Sequence, residues 1–333
     1  MSHWQIVLLN VAAMFLVILA GWLARKRKAL SAETTATLSR FVVDITFPAL
    51  GFLQMLKSVD IPALRENWFT PLLGVAILLV GQLVGLSTAG FFCRKAQRAT
   101  FIFLIVINNW VYLPLPIAQG LYGDDGVRVI LFSNIGVQLF LWTVGVWTLR
   151  GGKPDRNTLL DLLKNPGLLG ILAGIFAACV FPSLHLLAGS AANAPAGHST
   201  LAIKAVLQAL DFIGGLTIPL SLIVTGAQLG GLELSKRTEW RPLTGVLLGR
   251  LFLTPLLVVL LVQLAQAGGI TIPEIPRMLG YIVALMPVAL SCSIFTERFG
   301  GDTALAARGI FYSTLLSIVT VPVAFFFIQK LGW

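Results

Sequence analysis

Ten apolar segments, each close to the length that crosses a lipid bilayer, constrain this chain more than any other feature. Charged residues make up 11% of the sequence and hydrophobic residues 57%, with a mean hydropathy of +0.88, whereas soluble domains carry roughly 25% charged residues. The sequence therefore predicts an all-α polytopic membrane protein. With about 20 residues in a typical span, the ten predicted spans are residues 5–24, 41–57, 69–92, 101–120, 127–149, 166–182, 205–229, 242–266, 278–296 and 304–328.

Basic residues are distributed unevenly over the loops between these spans. Arg25 to Lys28 follow the first apolar run, whereas a signal peptide carries its basic residues before it. If the spans alternate in direction, 17 Lys and Arg lie on the side of Arg25 and 6 on the opposite side. Because cytoplasmic loops are enriched in Lys and Arg, we expect both termini to be non-cytoplasmic in the inner (plasma) membrane. Contact of these loops with anionic lipids explains the formal charge of +10, so we expect no nucleic-acid partner.

Span four contains two adjacent amides, Asn108 and Asn109, and two prolines, Pro114 and Pro116. Proline has no N–H, so each proline leaves the carbonyl four residues earlier without its helical donor. Such carbonyls are tolerated at membrane depth only beside protein or water. The pattern predicts a broken helix that lines a buried polar cavity, with Asn109 near the middle of the membrane.

A weak internal repeat divides the chain into residues 1–150 and 151–333. The segment Arg65-Glu66-Asn67-Trp68 returns as Arg237-Thr238-Glu239-Trp240, 172 residues later, and a proline follows each copy. Each half holds five predicted spans, an odd number, so the second half must enter the membrane from the opposite side. We therefore expect an inverted repeat, with matching interruptions in span four and, at Pro287, in span nine.

Several motifs, spread over nearly the whole chain, resemble those of the auxin efflux carrier family. They are Asn109 with Pro116, Leu121-Tyr122-Gly123-Asp124-Asp125-Gly126, Lys164-Asn165-Pro166, Ile218-Pro219-Leu220 with Gly226-Ala227-Gln228-Leu229, Ala284-Leu285-Met286-Pro287, Arg298-Phe299-Gly300 and Ser313-Thr314-Leu315-Leu316-Ser317. Where this chain has Ser291, the family often has asparagine.

The resemblance implies the ten-helix fold that this family shares with bile acid:sodium symporters, in which two broken helices cross. It implies a scaffold of helices one, two, six and seven and a moving transport domain of helices three, four, five, eight, nine and ten, as in an elevator. It also implies a small organic anion as substrate: plant members export auxin, an indole carboxylate, and bacterial members are described as carriers of malonate-like acids. Homodimers are known in the family.

We expect the substrate at the crossing of spans four and nine. Asn109 carries over the carboxylate-binding amide of the family, and the half-helix N-termini beside it are expected to supply further donors. Asn109 also has a structural interpretation as an amide that stabilises helix packing, and Ser291 as a hydroxyl that bonds its own helix. The predicted substrate-binding residues are Asn109, Asn108, Tyr112, Pro116, Pro287 and Ser291.

Three charged residues inside the spans are candidates for coupling transport to an ion gradient. Asp44 and Asp211 are candidates for carrying a proton, because an ionisable group at membrane depth is by default a functional hypothesis. Their structural alternative is helix capping, since both lie early in their predicted spans. Arg250 is a candidate for pairing with an anion or an intramembrane acid, and its alternative is a side chain that reaches the headgroups. Sodium coupling is the rival to proton coupling.

The remaining patterns narrow the class of function. Three cysteines and three histidines show no metal-ligand spacing, so we expect no metal site and no cofactor. The chain has no glycine-rich loop followed by Lys-Ser or Lys-Thr, which argues against direct use of ATP. A secondary transporter is favoured. The alternatives are a sodium-coupled symporter of the bile acid type, a non-transporting sensor, and an intramembrane enzyme suggested by Gly123-Asp124-Asp125-Gly126.

Overall fold

The computed structural model describes residues 3–59, 61–151, 163–189, 198–232 and 239–331, and within them the regular structure is helical. The α-helices are α1 His3–Lys26, α2 Ala32–Phe41, α3 Phe47–Ser58, α4 Ile61–Asn67, α5 Thr70–Phe92, α6 Arg98–Val106, α7 Pro114–Phe140, α8 Val146–Leu149, α9 Pro166–Val180, α10 Pro182–Gly189, α11 His198–Gly215, α12 Thr217–Gly231, α13 Trp240–Leu248, α14 Thr254–Ala267, α15 Glu274–Ala284, α16 Ser291–Phe299 and α17 Thr303–Lys330. Single π-helical turns at Val42–Thr46, Leu141–Gly145 and Gly249–Leu253 join α2 to α3, α7 to α8 and α13 to α14.

Long apolar helices dominate the described part of the chain. Seven helical stretches are long and apolar enough to cross a membrane: Trp4–Lys26, Ala32–Ser58, Leu64–Phe92, Pro114–Leu149, Leu201–Gly231, Trp240–Ala267 and Thr303–Lys330. Large apolar side chains cover their outer surfaces, and Leu16 and Leu83 are 68% and 65% exposed. Such a surface suits a lipid environment. The prediction of an all-helical polytopic membrane protein is therefore confirmed at the level of the fold class.

Span two is longer than its apolar run predicted. The helix starts at Ala32, where the Ser31 hydroxyl accepts a hydrogen bond from Thr34 N–H at 3.0 Å. Pro48 does not break this span, because the π-helical turn Val42–Thr46 lies just before it and the helix continues as α3. In a π turn the hydrogen bonds join residues five apart instead of four, and the helix continues past the proline. Asp44 therefore lies in the middle of a continuous helical segment, far from its start at Ala32, and does not cap it.

The second half of span four continues into span five through a sharp reversal at Gly123. This glycine has φ +57° and ψ −139°, a conformation that side chains with a Cβ rarely adopt. A Cβ added to Gly126 would lie 2.4 Å from the carbonyl oxygen of Ala118, although eight residues of straight helix span about 12 Å. The two parts of α7 therefore fold back on each other.

The helices pack in two sets. In the first set, α1 packs along α12, and α3 packs along α9 and α11. In the second, α5 packs against α6 and α7, and α7 packs against α15. Helices α1 and α3 also contact α7. Glycines allow the closest approaches, since a Cβ on Gly226 would lie 1.8 Å from the carbonyl oxygen of Ile18.

Candidate functional site

Two interrupted helices meet near the centre of the molecule. Residues 107–113, the first break, separate α6 from α7, and residues 285–290, the second break, separate α15 from α16. The breaks run antiparallel: Asn109 N–H donates to the Pro287 carbonyl at 2.8 Å, and Ala289 N–H donates to the Ile107 carbonyl at 3.0 Å. Four half-helix ends therefore converge on one place.

Asn109 organises the start of the second half-helix in span four. Its Oδ1 accepts hydrogen bonds from Tyr112 N–H at 3.1 Å and Leu113 N–H at 3.4 Å. Pro114 is the first residue of α7, and neither it nor Pro116 has an N–H to offer. The N-terminus of α7 is thus already satisfied by Asn109. The expectation that this helix end supplies free N–H donors to an anion is wrong, because its own asparagine occupies them.

The second break is satisfied by different means. Val288 N–H donates to the Ser313 hydroxyl of α17 at 3.1 Å, and that serine is fully buried. The Cys292 thiol approaches the Ile107 carbonyl at 3.6 Å. Apart from Pro287, the side chains of the second break are aliphatic or Met, as the sequence Leu285-Met286-Pro287-Val288-Ala289-Leu290 makes plain.

Arg250 ties the first halves of both interrupted helices together. It is fully buried in the π-helical turn of residues 249–253. Its guanidinium donates to the Ile105 carbonyl at 3.0 Å and to the Ala284 carbonyl, which belong to the C-terminal ends of α6 and α15. Carbonyls at a helix C-terminus lack intrahelical donors and carry partial negative charge. Arg250 therefore does not reach the headgroups, contrary to that interpretation of the sequence.

A central cavity of about 290 Å³ opens beside the crossing of the two breaks. Its size is near the lower end of small-molecule sites, roughly 300–1,000 Å³. Both breaks, α7, α16 and the first-set residues Val43, Phe47, Asn165 and Gly167 form its wall. The wall contains no Lys, Arg, Asp or Glu among the described residues. Its polar side chains are Asn108, Asn109, Trp110, Tyr112, Asn134, Gln138, Trp142, Asn165 and Ser291.

The six predicted substrate-binding residues fall into two classes. Four of them line the central cavity: Asn108, Asn109, Tyr112 and Ser291. Pro116 and Pro287 do not contribute to its wall. Pro116 belongs to the first turn of α7, and Pro287 supplies the carbonyl that holds Asn109. These prolines shape the breaks, whereas the four other side chains are in contact with the space between the two sets of helices.

Three polar residues of the cavity wall were not among the predicted site residues: Asn134, Gln138 and Asn165. Asn134 and Gln138 lie four residues apart on one face of α7, and a rule that flags every polar group inside an apolar span would have found them. Asn165 caps α9 by accepting from Leu168 N–H at 3.0 Å, and its Nδ2 reaches Gln138 Oε1 at 3.5 Å. That contact bridges the two sets of helices, and only the fold brings it about.

The two acidic coupling candidates lie outside the cavity. Asp44 is exposed on the π-helical turn next to Val43, which does line the cavity. Asp211 is half-exposed in α11 and pairs with Lys57 of α3 at 2.8 Å. Because α11 begins at His198, Asp211 is more than three turns from the helix start and does not cap it.

Comparison with known proteins places this site in a family context. Residues 6–325 match the family model described as "Membrane transport protein". The chain belongs to this family. The membrane transport protein family includes the auxin efflux carriers, so the resemblance found in the sequence is confirmed. Membership and the apolar helices together identify a multi-pass membrane protein of the transporter class.

Two archaeal members of the family match almost end to end. An "Uncharacterized transporter" of Methanocaldococcus jannaschii is 23% identical over 316 residues, covering 93% of this chain and 95% of the relative. Another "Uncharacterized transporter", from Methanothermobacter thermautotrophicus, is 23% identical over 324 residues, covering 94% and 95% respectively. The similarity spans both interrupted helices and hence the whole wall of the cavity.

Proposed function

We propose that this chain is a secondary transporter that carries a small organic anion, with a carboxylate group, across the membrane by alternating access. The observation that carries the proposal is the central cavity at the crossing of the two breaks. It is small, its largely apolar wall carries five amide side chains, and it is free of charged residues among those described. Asn109 turns its acceptor to its own helix, so its Nδ2 is the donor left for a carboxylate.

Neutral donors suit a transporter better than a fixed cation would. A carboxylate bound by several amides is held by directed hydrogen bonds, each worth about 1.5–3 kcal/mol when one partner is charged. A buried lysine or arginine would hold the anion more firmly and, once the anion left, would itself be an unpaired charge in a low-dielectric site. Amides let the empty and loaded cavity remain comparable in free energy, as repeated loading and release require.

The alternating movement is proposed to separate the two sets of helices. Val43, Phe47 and Asn165 supply one wall of the cavity from the first set, and the two breaks supply the other. The Phe47 and Tyr112 rings meet edge to face across this boundary, with centroids 6.5 Å apart. Packing contacts of this kind can slide, whereas the hydrogen-bonded breaks keep their geometry. This supports helices one, two, six and seven as a scaffold and the rest as an elevator.

We further propose ten spans arranged as two inverted five-span repeats, with both termini non-cytoplasmic and with homodimers in the plasma membrane. The antiparallel pairing of the breaks supports the inverted repeat, since two copies related by an in-plane axis would cross in that sense. Glycines with positive φ end both second half-helices, Gly123 after the first break and Gly300 after the second, which is a further correspondence between the halves.

For the energy source we propose coupling to protons through Asp44, with sodium as the alternative. Asp211 is the weaker candidate because Lys57 already neutralises it. Transport measured against pH for wild type and Asp44→Asn, with sodium varied separately, distinguishes the two. Loss of pH dependence in the variant supports Asp44, unchanged pH dependence removes it, and a strict sodium requirement favours the symporter mechanism.

Counterflow in proteoliposomes tests the proposed function itself. Vesicles preloaded with an unlabelled monocarboxylate should take up the labelled acid faster than empty vesicles, because the loaded site returns faster than the empty one. Asn109→Asp should abolish this uptake, since a second carboxylate in the cavity repels the first. The matched amide-to-acid control is Gln228→Glu, on α12 away from the cavity, and it should retain uptake. Uptake that does not saturate, or that survives Asn109→Asp, would contradict the proposal.

A further inference from the structure

Main-chain contacts fix the direction of the amides in the two adjacent cavity asparagines. Asn108 Nδ2 donates to the Val283 carbonyl at 2.6 Å. Since that carbonyl can only accept, the Asn108 amide cannot be reversed, and its Oδ1 is the group left over. Asn109 has the opposite constraint, because its Oδ1 accepts from two N–H groups. Asn108 therefore offers an acceptor, and Asn109 offers a donor.

The side chain of a third asparagine, Asn134, makes no hydrogen bond to the described residues. Its side chain is 1% exposed, and both Oδ1 and Nδ2 are buried without a partner, as is Asn108 Oδ1. Both residues line the central cavity. Leaving a buried amide atom unpaired is unfavourable, so native structures rarely contain one without a reason. A ligand that reaches these atoms from the cavity would supply the missing partners.

The unpaired amide atoms of the three asparagines include acceptors as well as donors, so they are not suited to a carboxylate alone. Asn109 Nδ2 and Asn134 Nδ2 are donors and suit a carboxylate, but Asn108 Oδ1 and Asn134 Oδ1 are acceptors and repel one. A ligand with its own O–H or N–H would satisfy these acceptors. No cationic side chain lines the cavity among the described residues, and moving a second negative charge into such a site is strongly unfavourable.

We infer that the ligand is a singly charged organic acid that carries a hydrogen-bond donor in addition to its carboxylate, and that Asn108 and Asn134 bind that donor while Asn109 binds the carboxylate. The inference rests on the proposed function and narrows it: hydroxy acids and acids with an N–H are substrates, whereas dicarboxylates of the malonate type are excluded.

Matched pairs of acids test the inference on the purified wild-type protein. Mandelate and phenylacetate differ by one hydroxyl, and indole-3-acetate and 1-methylindole-3-acetate differ by one N–H. Because a site with a buried unpaired acceptor discriminates against a ligand that lacks the donor, the donor-bearing member of each pair should bind at least about tenfold more tightly. Malonate should bind more weakly than any of them. Titration calorimetry in detergent gives all five affinities.

A variant at Asn134 assigns the discrimination to a residue. Asn134→Leu removes an amide that has no protein partner, so the unfolding temperature should stay the same or rise, while the preference for the donor-bearing acids should fall several-fold. The matched control is Gln228→Leu, which removes an amide outside the cavity and should keep the preference. If Asn134→Leu does not fold, the wild-type pairs still decide the ligand class.

The possible results distinguish failure of this inference from failure of the proposed function. Equal affinity within each pair, or tightest binding of malonate, would overturn the inference and leave the proposed carboxylate transporter standing. An unchanged preference in Asn134→Leu would overturn the role of Asn134. Binding of none of the five acids would overturn the proposed function, and this inference with it.

Discussion

The two breaks occupy matching places in the chain but satisfy their backbones differently. In the first break, Asn109 reaches forward and accepts from the N–H groups of the helix it precedes. In the second break, Val288 N–H depends on Ser313 of a neighbouring helix. The first break thus carries polar side chains that also face the cavity. The second break is apolar, and its backbone holds the first break in place. In the proposed function, the first break binds the ligand and the second break supports it.

Arg250 contacts the helix ends that precede both breaks. Arg250 holds the C-terminal ends of α6 and α15, so the polar and the apolar break are positioned by the same side chain. The difference between the breaks therefore arises after these first half-helices end. Changes at Arg250 should disturb both breaks together, and changes within one break should be separable.

The largest effect is expected for Arg250→Leu. It leaves the carbonyls of Ile105, Val106 and Ala284 without their donor in a buried site, at about 1–3 kcal/mol for each lost partner, so we expect a loss of about 3 kcal/mol or more. Thermal unfolding in detergent measures it. Arg241→Leu changes an exposed arginine of the adjoining helix α13 and should cost far less. An unfolding temperature equal to that of wild type would show that Arg250 does not brace the breaks.

The next effect concerns Gly123 and Gly300, the glycines with positive φ that end the two second half-helices. A Cβ at Gly123 or Gly300 would meet no atom within 4 Å, so alanine there tests backbone conformation alone. Gly300 has φ +77° and ψ +32°, the left-handed helical region, where alanine costs about 1–2 kcal/mol. Gly123, at φ +57° and ψ −139°, is less tolerant. Gly123→Ala should therefore lower the unfolding temperature more than Gly300→Ala, and the reverse order would contradict this account.

The smallest effect is expected for Asp211→Asn. The pair with Lys57 is partly solvent-exposed, with side-chain exposures of 58% and 30%, and exposed ion pairs contribute about 0–1 kcal/mol. Stability should change by less than about 1 kcal/mol, and ligand affinity should not change, because Asp211 is outside the cavity. A tenfold loss of affinity measured by calorimetry would contradict this expectation. It would mean that Asp211 influences ligand binding from outside the cavity.

Local chemistry explains what could be predicted from the sequence. Proline lacks an N–H wherever it stands, so Pro114 and Pro287 indicated interrupted helices without knowledge of the fold, and Asn109 was conspicuous in an apolar span. The family was likewise identified from ordered motifs. Span two was predicted too short because its boundary was read from the apolar run, which begins at Phe41. The helix begins earlier, in the polar residues after its N-cap Ser31.

Long-range contacts explain what could not be predicted. Arg250 bonds a carbonyl 145 residues away, and Ser313 supports a break 25 residues before it. Neither partner can be inferred from spacing, since each depends on how the half-helices dock. The direction of the Asn108 amide is a similar case, because it is set by Val283 in the other half of the chain. The ten-span count and the coupling residue remain predictions.

The central claim is that the first break binds the ligand and the second supports it. One measurement tests it most directly: carboxylate affinity and unfolding temperature in Asn109→Asp and Ser313→Ala, each against wild type. Asn109→Asp keeps an acceptor for Tyr112 and Leu113 N–H but replaces the donor with a negative charge, so affinity should fall by about a hundredfold or more with little change in unfolding temperature. Ser313→Ala leaves Val288 N–H unpaired, so stability should fall by about 1–3 kcal/mol with affinity retained. If Asn109→Asp kept its affinity, or Ser313→Ala lost affinity without losing stability, the claim would be wrong.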